Sequence, residues 1–203
     1  MISEKTTIDL LRHGEVEGDA TYRGSTDDEL TDHGWHQMVK AIENKNQWDI
    51  IISSPLQRCQ EFAELIATED DIDIDINPAI KEIDFGCWEG LTPEEVMQDE
   101  GDLLKAWWRS PTRITPPEGE DYHEFQARVL KAFKQLVQDY QGKKILLVTH
   151  AGVIRIILMY ILGMPEENLF RLNVDYGGFS RIHAYHDSTG DSWSLIQHGC
   201  TIN

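Results

Sequence analysis

The sequence predicts an α/β protein, a three-layer α/β/α sandwich with a mostly parallel central sheet. Two observations predict it. Three times along the chain a short strand, apolar enough to be buried on both faces, runs into a small-residue break and then a helical pattern. The C-terminal part instead alternates polar and apolar residues after a Gly177-Gly178 turn, the habit of two or three closing strands.

The first unit is "TTIDLL", ending at Arg12-His13-Gly14 and followed by a long polar loop. The helix after it is expected to take Thr31 as N-cap and to bury Trp35, Met38, Val39 and Ile42 at i, i+3, i+4 and i+7. The second unit joins "DIIIS" to "SPLQRCQEFAELI", with Pro55 suited to the first helical turn and Leu56, Cys59, Ala63 and Ile66 on one face. "EDDIDIDIN" alternates acid and isoleucine, the period of a half-exposed strand with a solvated acidic face. A long helix follows over Tyr122 to Gln141, started by a capping-box-like Asp121 and Glu124. Its apolar stripe is Phe125, Val129, Phe133, Leu136, Val137 and Tyr140. The third unit joins "KKILLVTH" to "AGVIRIILMYIL", and "RLNVDYGGFSRIHAYH" with "SWSLIQHG" closes the sheet.

No repeat or low-complexity linker interrupts the 203 residues, which are read as one domain over 1–203. The formal charge of −18 argues against nucleic acid and anionic membrane surfaces as partners. The most apolar window, "VIRIILMYILGM", is too short to span a bilayer and carries Arg155. Cys59, Cys87 and Cys200 form no CxxC pair, and the N-terminus lacks a secretory pattern. Reduced thiols and a cytoplasmic location are therefore expected. Nothing in the sequence sets an oligomeric state.

In a parallel α/β sheet, ligands bind outside the carboxyl ends of the strands. Arg12 and His13 leave the first strand, Arg58 sits in the first turn of the helix after the second, and His150 ends the third. Each is ordinary alone; their common placement predicts an anion pocket of phosphate size. The helix N-termini after Ser54 and His150 would add N–H donors, and Gly14 and Gly152 would let the backbone approach a ligand closely. Flanking guanidinium charges would disfavour the imidazolium form of His13. His183 and His186 lie three apart in a strand and so face opposite sides, which sets them aside as a metal pair.

Four pieces, "LLRHGE", "SSPLQRCQEFAE", "KEIDFGCWEGLTPEEV" and "LLVTHAGVIR", resemble in order the histidine phosphatase superfamily, the phosphoglycerate mutase-like fold. Within it, the 15–28 loop and "WWRSPTRITPPEGEDYHEFQARV" resemble the α-ribazole-5′-phosphate phosphatases of cobalamin biosynthesis. The resemblance implies a metal-independent, cofactor-free phosphomonoesterase acting on a small molecule through a phosphohistidine on His13. Arg12, Arg58 and a His150 that is cationic with phosphate bound would clamp the phosphoryl group. Glu82 would protonate the leaving oxygen, with Glu89 as the fallback donor. The substrate implied is α-ribazole 5′-phosphate or adenosylcobalamin 5′-phosphate. A broad-specificity or sugar-phosphate phosphatase, a mutase and a non-catalytic relative remain alternatives. Where the superfamily commonly carries a threonine and an asparagine, this chain has Val16 and "EGDATYRG", so Arg23 and Ser25 are the candidates for those phosphate contacts. The 15–28 loop and the 106–120 stretch would form the specificity wall, with Trp107 and Trp108 available to stack on a base and Phe85 and Trp88 packed beneath.

Overall fold

Alternate residues along three central strands face opposite helical layers, and this period-two pattern organises the molecule. The computed structural model describes residues 4–43, 47–187 and 190–199; Cys200 lies outside them. The strands are β1 (Glu4–Arg12), β2 (Ile50–Ser53), β3 (Ile74–Ile76), β4 (Lys144–Thr149), β5 (Phe179–Asp187) and β6 (Gly190–His198). They form one sheet in the order β3-β2-β4-β1-β5-β6. β3, β2, β4 and β1 run parallel, whereas β5 pairs antiparallel with both β1 and β6. The helices are α1 (Asp32–Ile42), α2 (Gln57–Asp70), α3 (Pro93–Arg109), α4 (Tyr122–Asp139) and α5 (Ala151–Leu162).

Ile8, Leu10, Ile50, Ile52, Ile145 and Leu147 pack against α4 and α5, while Leu11, Ile51, Leu146 and Val148 pack against α1 and α2. Such double burial explains the unbroken apolar runs of β2 and β4. β3 is the short, half-exposed edge strand expected from "EDDIDIDIN".

Helix starts follow local chemistry. The Thr31 hydroxyl accepts from Gly34 N–H at 2.9 Å, and the Asp121 carboxylate accepts from His123 and Glu124 N–H at 2.8 and 3.3 Å. The complete capping box belongs to α3, a helix absent from the sequence reading. There Thr92 and Glu95 bond reciprocally, with Pro93 in the first turn. Two expectations need correction. Val39 is 50% exposed, because the buried stripe of α1 runs through Gly34, Met38, Ala41 and Ile42. α2 begins at Gln57 with Leu56 as N-cap, leaving Pro55 outside the helix. The reason is Asp27, whose carboxylate accepts from Gln57 N–H at 2.7 Å and fixes the first turn there.

Asp9 ties the two halves of the sheet. It is 1% exposed and takes two 2.7 Å bonds from Arg181 on β5 and a 2.8 Å bond from Trp48 Nε1, ahead of β2. Asp9→Ala strips a charged acceptor from both donors and is expected to cost about 2–3 kcal/mol. Urea denaturation reads the loss; an unchanged midpoint would show that the network contributes nothing.

Candidate active site

β1, β2 and β4 end side by side, so the groups that follow them meet at one sheet edge. His13 N–H donates to Thr149 O and its carbonyl accepts from Gly177 N–H, which pins the residue between β4 and the turn before β5. The His13 ring lies 5.2 Å from that of His150 and 5.6 Å from Tyr176, centroid to centroid. His13 Nδ1 is 2.8 Å from the Gly14 carbonyl. A carbonyl can only accept, so Nδ1 carries the ring proton and Nε2 keeps its lone pair. Burial, then the charges of Arg12 and Arg58, hold the His13 pKa well below the ordinary value.

The flanking guanidinium groups are held by backbone carbonyls rather than by carboxylates. Arg12 Nη1 donates to Val174 O at 2.7 Å, and its guanidinium stacks 3.9 Å over the Tyr176 ring. Arg58, 1% exposed, donates from Nη2 to Gly24 O at 2.8 Å and from Nη1 to Thr26 O. The Nε–H groups of both arginines are buried without a partner. Each such donor costs free energy until an acceptor arrives.

His150 is the N-cap residue of α5 and is fully buried, with Nε2 2.8 Å from Ser54 Oγ. Burial, then Arg58 and His13, hold its pKa well below the ordinary range, so without ligand it is neutral rather than cationic. Cys59 packs beside its ring, and burial pushes that thiol up to about 12.

The helix N-termini are not open to a ligand in the way the sequence suggested. Asp27 occupies that of α2, and Glu82 occupies that of α5, accepting from Gly152 N–H at 3.0 Å. Gly152 therefore makes room for Glu82: a Cβ there would stand 2.3 Å from Glu82 Oε1. Gly14 likewise admits protein, since a Cβ on it would stand 2.1 Å from the Gly34 carbonyl at the start of α1. Glu82 is buried, and its segment is held by Arg128, which donates to the Ala79, Lys81 and Glu82 carbonyls at 2.9–3.0 Å and pairs bidentately with Glu120.

Glu89 is fully committed. Its carboxylate accepts the backbone N–H groups of Gly24, Ser25, Thr26 and Phe85 and the Thr26 hydroxyl, and so fixes the carbonyls that grip Arg58. Arg23 spends Nε on Asp28 and Nη2 on the Glu17 and Asp19 carbonyls, giving the 15–28 loop its shape. Ser25 donates to Asp84 at 2.9 Å and, with Glu82, lines an open cavity of about 360 Å³. Trp107 is packed among Tyr22, Phe85, Trp88 and Phe170, whereas Trp108 is 45% exposed, its Nε1 on the Tyr22 hydroxyl. Among the described residues no group of three or more His, Cys, Asp or Glu could hold a metal ion, and no helix is long and apolar enough to cross a membrane. His183 and His186 have partners of their own, Tyr185 and Asp191.

The sequence reading gave no site role to the side chains of Ser54, Tyr176, Arg128 and Arg155. Their signals were faint: a serine before a proline, an aromatic before a double glycine, and arginines inside apolar helical stripes.

The profile of the histidine phosphatase superfamily (branch 1) matches residues 8–196, and the chain belongs to that superfamily. It is 29% identical over 177 residues to adenosylcobalamin/alpha-ribazole phosphatase of Escherichia coli (strain K12), covering 85% of this chain and 87% of that one. It is 32% identical over 199 residues to a bifunctional protein of Mycobacterium tuberculosis (strain ATCC 25618 / H37Rv), covering 96% of this chain and 54% of that protein. The chain thus spans about half the length of such mycobacterial relatives. Among solved structures, a putative alpha-ribazole-5′-P phosphatase from Escherichia coli superposes with a TM-score of 0.84 at 26% identity over 96% of each chain. A mycobacterial glucosyl-3-phosphoglycerate phosphatase shares the fold with a TM-score of 0.86, covering 97% of this chain and 100% of that one, at 24% identity.

The two buried histidines make stability depend on pH. Unfolded histidines take up a proton near 6.5, whereas His13 and His150 do so only well below that in the folded state. As pH falls below 6.5 the unfolded chain binds more protons, and stability is expected to drop by up to about 1.4 kcal/mol per pH unit per histidine. Urea midpoints measured from pH 6.5 to 5 should fall in the wild type and fall less steeply in His150→Gln. Equal slopes would mean that His150 titrates normally.

Proposed function

We propose that the chain is a phosphomonoesterase that works through a phosphohistidine on His13. The observation that carries this reading is a neutral histidine with a free Nε2 lone pair, between two guanidinium groups whose buried Nε–H donors lack acceptors. A phosphoryl group seated at His13 would give those donors oxygen acceptors and balance the two charges.

In the first step the Nε2 lone pair attacks phosphorus and the P–O ester bond breaks. The leaving oxygen takes its proton from the Glu82 carboxyl. In the second step water attacks the phosphohistidine and loses a proton to Glu82, while the P–N electron pair returns to Nε2. Charge balance falls to Arg12, Arg58 and, once the dianion is bound, a protonated His150, so the reading needs no metal or other cofactor. Ser25 and Arg23 remain candidate contacts at the rim, while Gly14 and Gly152 serve by the space they leave.

The finer reading takes residues 1–203 as one catalytic domain that dephosphorylates α-ribazole 5′-phosphate or adenosylcobalamin 5′-phosphate in the cytoplasm. Its supports are the names of the Escherichia coli and Salmonella typhimurium relatives and the free thiols Cys59 and Cys87.

Hydrolysis of p-nitrophenyl phosphate is expected to survive EDTA, and a requirement for added Mg²⁺ or Zn²⁺ would refute the metal-free mechanism. His13→Ala should abolish turnover and the acid-labile phosphoprotein. Arg58→Ala should cost roughly 10²–10³ in rate. Glu82→Gln should impair an alkyl phosphate far more than p-nitrophenyl phosphate, whose phenolate leaves unaided; equal losses would remove Glu82 as the acid. On α-ribazole 5′-phosphate, kcat/KM should exceed that on fructose bisphosphates, and comparable values would favour a broad-specificity enzyme.

Gly152→Ala gives a further check. Its added methyl would displace Glu82 from its seat, so alkyl phosphate turnover should fall with little change in melting temperature. Unchanged turnover would mean that the seat is unimportant.

A further inference from the structure

We propose that Arg155 forms a second anion subsite on the leaving-group side of the His13 pocket, so that a second anionic group on the leaving alcohol strengthens binding. The inference rests on the phosphoesterase reading for the pocket but on separate residues for the subsite.

Its first support is charge. The chain carries a formal −18, yet among the described residues three arginines that are not fully exposed pair with no carboxylate: Arg12, Arg58 and Arg155. The other three that are not fully exposed, Arg23, Arg128 and Arg181, all form salt bridges. In so acidic a protein, leaving a half-buried guanidinium unpaired is costly unless an anion from outside completes it.

Its second support is placement. Arg155 Nε donates to Leu172 O at 3.0 Å, and Arg12 Nη1 donates to Val174 O at 2.7 Å. Leu172 is extended, and the two accepting carbonyls lie two residues apart in the chain. The 172–174 segment therefore holds both guanidinium groups. Arg155 also lies three residues beyond Gly152 on α5, on the helix face whose first turn seats Glu82. That puts it where the leaving group departs. Phe170, 49% exposed, lies with its ring centroid 5.6 Å from the Arg155 guanidinium carbon and supplies an apolar flank. The electrostatics agree: Arg155 lowers the pKa of Arg12, and Glu82 raises that of Arg155.

Two neighbouring guanidinium groups suit two phosphoryl groups across one ribose, or a phosphoryl group and a carboxylate across a three-carbon chain. Of the two substrates in the finer reading, adenosylcobalamin 5′-phosphate carries a phosphodiester on its leaving ribose, whereas free α-ribazole 5′-phosphate carries none.

The test is binding to the turnover-dead His13→Ala protein by calorimetry, with two matched pairs of probes. Adenosine 3′,5′-bisphosphate against adenosine 5′-monophosphate isolates a second phosphoryl group, and 3-phosphoglycerate against glycerol 3-phosphate isolates a carboxylate. In at least one pair the dianchored ligand should bind about tenfold tighter or more, and the preferred pair identifies the anion. Adding Arg155→Gln should collapse that ratio to about one, and Arg155→Lys, which keeps the charge without the fork, should restore part of it. Equal affinities in both pairs would overturn the subsite, and a preference that survives Arg155→Gln would overturn its assignment to Arg155. If the preference holds but wild-type protein hydrolyses neither member nor p-nitrophenyl phosphate, the phosphoesterase reading fails and the subsite stands.

Discussion

Everything at the carboxyl edge of this sheet depends on burying unpaired positive charge in a protein that is strongly negative overall. A carboxylate placed against Arg12 or Arg58 would neutralise it at once and fill the place of a ligand. The fold solves this with backbone carbonyls. Gly24 and Thr26 hold Arg58, and Val174 holds Arg12, through oxygens that carry only partial charge. The guanidinium groups are oriented without being quenched, and the same charges help strip the proton from His13.

The carboxylates are used one layer further out. Glu89 collects the N–H groups of the 24–26 loop, and that loop's carbonyls grip Arg58. Glu120 and Arg128 together hold the segment that presents Glu82. Asp27 and Glu82 cap the two helices that point at the site. Glu89, Asp27 and Glu82 are thus bound to neutral donors, and Glu120 is paired with Arg128.

Strand ends, buried alternation and four of the five helices were legible in the sequence because each depends on local period and local punctuation. α3 carried an equally local signal in Thr92-Pro93-Glu94-Glu95, but its residues were assigned no element, and only its end overlaps the stretch read as specificity wall. His13, Arg12, Arg58 and His150 could be gathered because a parallel sheet brings strand ends to one edge. What could not be read were bonds between segments far apart in sequence. Glu89 reaches back to Gly24, Arg128 to Ala79, and Gly152 to Glu82. No periodicity encodes such pairs, so a committed structural glutamate and an acid seated on a helix end looked alike. The glycines misled for the same reason: both were read as openings for a ligand and are openings for the chain itself.

The anchoring of His13 bears on how the protein comes into being. Its backbone is gripped from one side by Thr149 and from the other by Gly177, while Arg12 N–H donates to Gly178 O. A histidine that directly follows the first strand is therefore fixed by residues more than 130 positions later in the chain. During synthesis the emerging N-terminal two-thirds can collapse and form helices, but the pocket cannot exist until β4 and the segment leading into β5 have left the ribosome and docked. Competence arrives in one step with completion of the sheet.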